Sequence, residues 1–114
     1  MEISLFFYYL NIIISFIYAL AGLLLIRTIA NKSPNLWFGI RNKYTLSNKE
    51  IWRKTNRSGG IILIISGLIL LIPNLFIGPS NEKFYLWFTL ISPIAVIVIL
   101  GIATWIISKR LSEE

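Results

Sequence analysis

The chain has 114 residues, a formal net charge of +6 and 56% hydrophobic residues, and its mean hydropathy is +0.74. That composition excludes an ordinary soluble domain, and the length leaves room for a single unit, residues 1–114. We therefore expect a membrane protein. The sequence contains no His, Cys or Asp, which excludes disulfides, Cys/His metal sites and a Ser-His-Asp triad. We accordingly expect a protein that is not an enzyme and has no cofactor.

Three stretches of 24 residues each lack Lys, Arg, Asp and Glu, namely 3–26, 58–81 and 84–107. A helix rises ~1.5 Å per residue and the hydrocarbon core is ~30 Å thick, so about 20 residues cross it. Backbone groups in lipid must be hydrogen-bonded within the protein, which favours helices. We predict an all-α integral membrane protein with spans over about 3–26, 58–78 and 84–107 and a loop over 27–57.

The first span begins MEISLFFYYL and lacks the basic region of a signal peptide, so we expect it to stay as a helix. Small residues at helical spacing recur on the three spans: Ser15, Ala19 and Gly22; Gly60 and Gly67; Gly101, Thr104 and Ser108. Such residues let helices approach closely. We interpret them as packing seams within the bundle, and a homodimer seam is the alternative.

The long polar stretch of the chain, NLWFGIRNKYTLSNKEIWRKTNRSGG, lies between the first two spans. Pro34 and Gly39 are turn residues, which predicts an irregular loop over 31–46. Its apolar residues are too numerous to leave in water, so we expect them at the lipid headgroups: Trp37, Phe38, Ile40, Tyr44 and Leu46.

A surface helix is predicted after this loop. The tetrapeptide SNKE fits a capping box with Ser47 as N-cap and Glu50 at N3, so the helix should start at Asn48. Glu50 is spaced to pair with Arg53 or Lys54.

The pattern beyond the cap is that of an amphipathic helix. Ile51, Trp52 and Thr55 share one face and basic residues occupy the others, which is typical of a helix lying on a membrane surface. We therefore predict that Trp52 anchors an interfacial helix leading into the second span. Gly59 and Gly60 predict a bend or a close helix contact where the two meet.

Ten of the eleven basic residues fall in the loop or after the third span, and Lys83 alone lies on the other side. Short basic loops stay in the cytoplasm, which predicts an outside N-terminus and a cytoplasmic C-terminus. The same bias explains the net charge without nucleic acid. We expect the loop to meet anionic lipid headgroups.

The polar stretch carries a family resemblance. Its N-x-W-x-GIR, TL and W-R-K-T-x-R-x-x-G elements resemble the signature of the SdpI family of bacterial membrane proteins. The chain departs from many relatives at Asn42-Lys43-Tyr44, where they read Thr-Pro-Trp, and at Asn56, where they often carry His. The name-giving member has further spans before this region, so the chain resembles its C-terminal domain.

The resemblance implies a multi-pass protein of the bacterial cytoplasmic membrane. Characterised relatives protect the cell against a secreted peptide toxin, and the name-giving member also draws a cytosolic repressor to the membrane. The candidate functional residues are Asn35, Trp37, Gly39, Arg41, Thr45, Leu46, Glu50, Trp52, Arg53, Arg57 and Gly60. The aromatic helix ends, Phe6 to Tyr9 and Phe84 to Phe88, are typical of an aromatic belt at the membrane interface. A toxin arriving from outside would dock at the same residues.

Two other function classes stay open. One is an accessory or scaffold subunit of a larger membrane complex. The other is a transporter built from an oligomer of this unit, for which polar residues within the spans are few and uncharged: Asn11, Ser15 and Ser66.

Overall fold

Three long helices make up the chain in the computed structural model, which describes residues 3–35 and 39–114. Helix α1 is Ile3–Leu24 and continues into one π-helical turn, Leu25–Ile29. Helices α2 and α3 are Lys49–Phe76 and Glu82–Ser112. All three are long and apolar enough to cross a membrane, which confirms the all-α fold with three candidate spans.

Helices α1 and α2 pack antiparallel, because Gly22 contacts Gly60 while Asn11 bonds to Asn74 at the other end. The bundle measures 50 × 22 × 22 Å. A hydrocarbon core is only ~30 Å thick, so the bundle is longer than such a core. We call the end that carries residues 25–35 and 39–57 and the last turns of α3 the loop end.

The seam between α1 and α2 consists of small residues. A Cβ atom at Gly60 would lie 2.5 Å from the Gly22 carbonyl oxygen, and one at Gly67 would lie 2.6 Å from that of Ser15. The predicted seam within the bundle is thereby confirmed for α1 and α2. Gly101 differs, since a Cβ there would meet nothing within 4 Å.

Buried amides join α1 and α2 at the opposite end. The Asn11 side chain donates to the Leu70 carbonyl at 2.8 Å and to Asn74 Oδ1 at 2.6 Å. Asn74 in turn donates to the Tyr8 carbonyl at 3.0 Å. Polar groups inside a membrane protein need such partners because lipid supplies none.

Helix α3 runs antiparallel to α2. The Tyr85 hydroxyl lies 3.0 Å from the Pro73 carbonyl oxygen, near one end of both helices. At the other end, a Cβ at Gly59 would lie 3.3 Å from Thr104 Cγ2. Thr104 and Ser108 are buried, as their place on the predicted small-residue strip requires.

The start of α2 differs from the prediction by one residue. Asn48 is the N-cap, and its side chain accepts from the backbone N–H groups of Glu50 and Ile51. Ser47 instead donates its hydroxyl proton to the Tyr44 carbonyl at 2.8 Å. Asn and Ser are about equally good N-cap residues. Because the Ser47 hydroxyl is bonded within the preceding turn, Asn48 takes the capping position.

The predicted interfacial helix is not confirmed. Residues 49–57 form the first turns of α2, which runs without interruption through Gly59 and Gly60 to Phe76. The glycine pair therefore serves close contact. The prediction that Trp52 lies in the lipid interface is wrong, because its side chain is 0% exposed. The apolar face of α2 that carries Trp52 is covered by protein and not by lipid.

Candidate functional site at the loop end

Trp52 links the first turns of α2 to the end of the π turn that follows α1. Its indole N–H donates to the Ile29 carbonyl at 2.9 Å, where the π turn ends. Carbonyls in the last turn of a helix lack the partners that the next turn would supply. The Ile29 carbonyl also accepts from the Lys32 backbone N–H at 3.1 Å, so Trp52 adds a second hydrogen bond at this helix end while its apolar ring is buried.

Gly39 and Ile40 lie against α2 through Asn56. The Asn56 side chain accepts from the Ile40 N–H at 2.7 Å and donates to the Trp52 carbonyl at 2.9 Å. Gly39 has φ +98, and a Cβ there would lie 2.7 Å from Asn56 Oδ1. Only glycine adopts this conformation at low cost, so the turn into Ile40 depends on Gly39.

Asn56 was missed as a candidate residue. It is fully buried on the same side of α2 as Trp52, four residues further along. The available signal was a strongly polar side chain among residues of an otherwise apolar face, since buried amides require specific partners.

The second half of the loop is organised by Asn42. Its side-chain oxygen accepts from the backbone N–H groups of Tyr44 and Thr45 at 2.9 and 3.0 Å, which is an Asx-type turn. Its amide group donates to the Ser108 hydroxyl at 3.0 Å. The departure from the family pattern at Asn42 thus ties the loop to α3.

Tyr44 and Lys43 contact α3 as well. The Tyr44 ring packs edge-on against Trp105 with centroids 5.1 Å apart, and Lys43 Nζ lies 5.1 Å from the Tyr44 centroid. A cation near an aromatic face adds a modest attraction. Tyr44 and Ile40 are half-buried against the protein, so headgroup lipid is not their main surrounding, whereas Leu46 is 36% exposed.

The structure separates the candidate residues into two groups. Those with buried or half-buried positions inside the loop end are Asn35, Gly39, Thr45, Trp52, Arg53 and Gly60. Those that are exposed are Arg41, Leu46, Glu50 and Arg57. Trp37 lies outside the described residues. The motif therefore combines residues that build the loop end with residues that a partner could reach.

Glu50 pairs with both predicted cations. Its carboxylate accepts from the Arg53 guanidinium and lies 3.8 Å from Lys54 Nζ. Although the Arg53 residue as a whole is half-buried, its side chain is 41% exposed and that of Glu50 is 55% exposed, so the pairs add little stability. Among residues 3–35 and 39–114, no group of three potential His, Cys, Asp or Glu metal ligands lies together.

Comparison with known proteins gives one match. No curated protein and no solved structure matches the chain. The model of the SdpI/YfhL protein family matches residues 31–108, which include most of the loop, all of α2 and most of α3. Since this match covers more than half of the sequence, the chain belongs to the SdpI/YfhL protein family.

Proposed function

We propose that this protein is a non-enzymatic immunity protein that protects a bacterial cell against a secreted peptide toxin and presents its loop end to a cytosolic repressor. The family match over 31–108 supports the first role. The geometry around Arg41 supports the second, because this residue combines an exposed side chain with a fixed backbone.

Arg41 is held from both sides. Its neighbour Ile40 accepts and donates hydrogen bonds with Asn56 of α2, and its other neighbour Asn42 donates to Ser108 of α3. Because the backbone at Arg41 is already fixed, binding through its guanidinium would cost side-chain but little backbone conformational entropy. Its planar fork suits bidentate recognition of a carboxylate or phosphate on a partner.

The test of this role is Arg41→Lys in toxin-exposed cells. Lys keeps the positive charge that topology requires but not the bidentate geometry. We expect a normal membrane level with about tenfold greater toxin sensitivity or loss of repressor recruitment, the size of one lost charge-assisted hydrogen bond. Survival curves and membrane immunoblots measure the two effects.

Arg110→Lys is the matched control, since Arg110 is an exposed basic residue on the last turn of α3 at the same end of the bundle. It should retain full protection. If Arg41→Lys also retains full protection, Arg41 contributes only a positive charge to membrane topology. The accessory or scaffold role would then be favoured.

We further propose that the loop end faces the cytoplasm of the inner membrane, with the N-terminus outside. The ten basic residues of the loop and the C-terminal tail support this orientation. A reporter fused after Glu114 should be cytoplasmic, and one inserted at Ser80, in the turn between α2 and α3, should be exported. A cytoplasmic reporter at Ser80 would contradict the proposed orientation.

A further inference from the structure

A cavity of about 410 Å³ lies at the loop end between the end of α1 and the first turns of α2. Three arginines line it: Arg27 from the π turn, and Arg53 and Arg57 from successive turns of α2. Ile26, Ala30 and Asn31 complete the lining. Two separate elements thus direct cationic side chains to one open space.

The cavity carries excess positive charge. Glu50 pairs with Arg53 and Lys54, but Arg27 and Arg57 form no ion pair with any residue in the described ranges 3–35 and 39–114. Guanidinium groups bind phosphate oxygens in pairs of parallel hydrogen bonds. The chemistry of the cavity therefore fits an anionic phosphate ester.

The position of the arginines along the bundle indicates where that phosphate lies. Arg27 follows the uncharged run 3–26, and Arg57 precedes the uncharged run 58–81. Each is the last charge on its helix before the hydrocarbon. The cavity consequently lies at the depth of lipid phosphates, immediately above the acyl region.

Apolar residues extend the arginine faces toward the bilayer centre. Exposed apolar side chains lie four, seven and eleven residues before Arg27, and four and eleven residues after Arg57. They are Leu23, Leu20, Phe16, Ile61 and Leu68. At that spacing they share a helix face with the arginines. A separate hollow of about 40 Å³ lies further along the same two helices, between Phe16 and Leu68. A ligand with a phosphate head and acyl chains would match both parts.

We propose that this groove binds one anionic phospholipid, with its phosphate between Arg27 and Arg57 and an acyl chain along α1 and α2. Basic pockets between membrane helices on the cytoplasmic side suit such headgroups. A soluble phosphate would use the arginines alone, whereas the apolar continuation favours a lipid. This proposal uses the cytoplasmic orientation proposed above but does not depend on toxin protection.

The experiment measures lipid retained by the purified full chain. The protein is reconstituted in vesicles containing equal phosphatidylglycerol and phosphatidylcholine, extracted in mild detergent and analysed by native mass spectrometry. We expect one retained phosphatidylglycerol. The double variant Arg27→Gln/Arg57→Gln should lower its retention roughly 30-fold, given the attraction of two basic side chains to anionic lipid.

The matched control is Lys109→Gln/Arg110→Gln, which removes two charges from the same end of the bundle but from α3. It should retain the lipid. Equal retention of both lipids, or an equal loss in the control, would overturn the proposal. Displacement of phosphatidylglycerol by millimolar inorganic phosphate would show a site for soluble anions and would overturn it too.

A salt titration of the wild-type protein gives a readout that does not depend on the variants folding. Rising ionic strength screens exposed charges, so phosphatidylglycerol retention should fall while phosphatidylcholine adducts stay constant. Retention that is insensitive to salt would contradict a phosphate held by Arg27 and Arg57.

Discussion

Replacing Gly60 with Val should force α1 and α2 apart and destabilise the bundle by about 3 kcal/mol or more, at the upper end for overpacked sites. The first added carbon would lie 2.5 Å from the Gly22 carbonyl oxygen and 2.7 Å from Ile26 Cγ1. The first obstacle is backbone of the neighbouring helix, which cannot rotate away as a side chain can. Thermal unfolding in detergent measures the loss.

Gly101→Val is the matched control for Gly60→Val. Gly101 also lies within a candidate span, but a Cβ there meets nothing within 4 Å. The control should unfold near the wild-type temperature, apart from a small intrinsic difference between Gly and Val. Equal stability of the two variants would show that α1 and α2 do not pack through Gly60.

The second large effect is expected at Trp52. Trp52→Ala should cost about 3–5 kcal/mol, as for other fully buried large side chains. The indole is 0% exposed, bonds to Ile29 and lies beside Gly39, so its loss should also release the loop. Detergent stability and trypsin cleavage after Arg41 measure the two consequences.

Trp87→Ala serves as the control, because Trp87 is 59% exposed on α3. Its removal should change stability little and leave the rate of trypsin cleavage after Arg41 as in the wild type. Trp52→Phe removes the indole hydrogen bond together with part of the ring volume, so it should cost more than about 1 kcal/mol but less than Trp52→Ala. If Trp52→Ala behaves like Trp87→Ala, the indole does not support the loop.

Much of the fold could be predicted from the uncharged stretches and the small residues. An uncharged run of sufficient length has few stable alternatives to a membrane-spanning helix. The spacing of Gly60 and Gly67 likewise indicated a close contact, which the structure places against Gly22 and Ser15. These features depend on local composition and helical spacing, which a single sequence displays.

The sequence could not predict whether protein or lipid covers the apolar face of residues 51–55. A helical pattern shows that Ile51, Trp52 and Thr55 avoid water, but lipid and protein satisfy that requirement equally well. The choice depends on Ile29 and Gly39, which lie far from Trp52 in sequence or beyond an irregular turn. Long-range contacts of this kind leave no periodic signal.

The motif predicted which residues form the candidate site, but it did not predict which of them are buried and which are exposed. Trp52 and Arg41 both belong to the motif, although Trp52 is buried and Arg41 is exposed. The links from Asn56 to Ile40 and from Asn42 to Ser108 were not anticipated. Amide side chains accept many partners, so sequence alone does not specify which groups they meet.

The buried asparagines Asn11 and Asn74 have a consequence for the distant loop end. Gly60 and Gly67 lie seven residues apart on α2, so a slide of α1 along α2 by two turns, ~10.5 Å, would bring a glycine to the close contact again. Such a slide would separate Asn11 from Asn74 and from the Leu70 carbonyl, with no water in lipid to replace these bonds. The asparagine pair therefore fixes the axial register of α1 on α2, and through this register it sets the distance from Trp52 to Ile29 at the other end of the molecule.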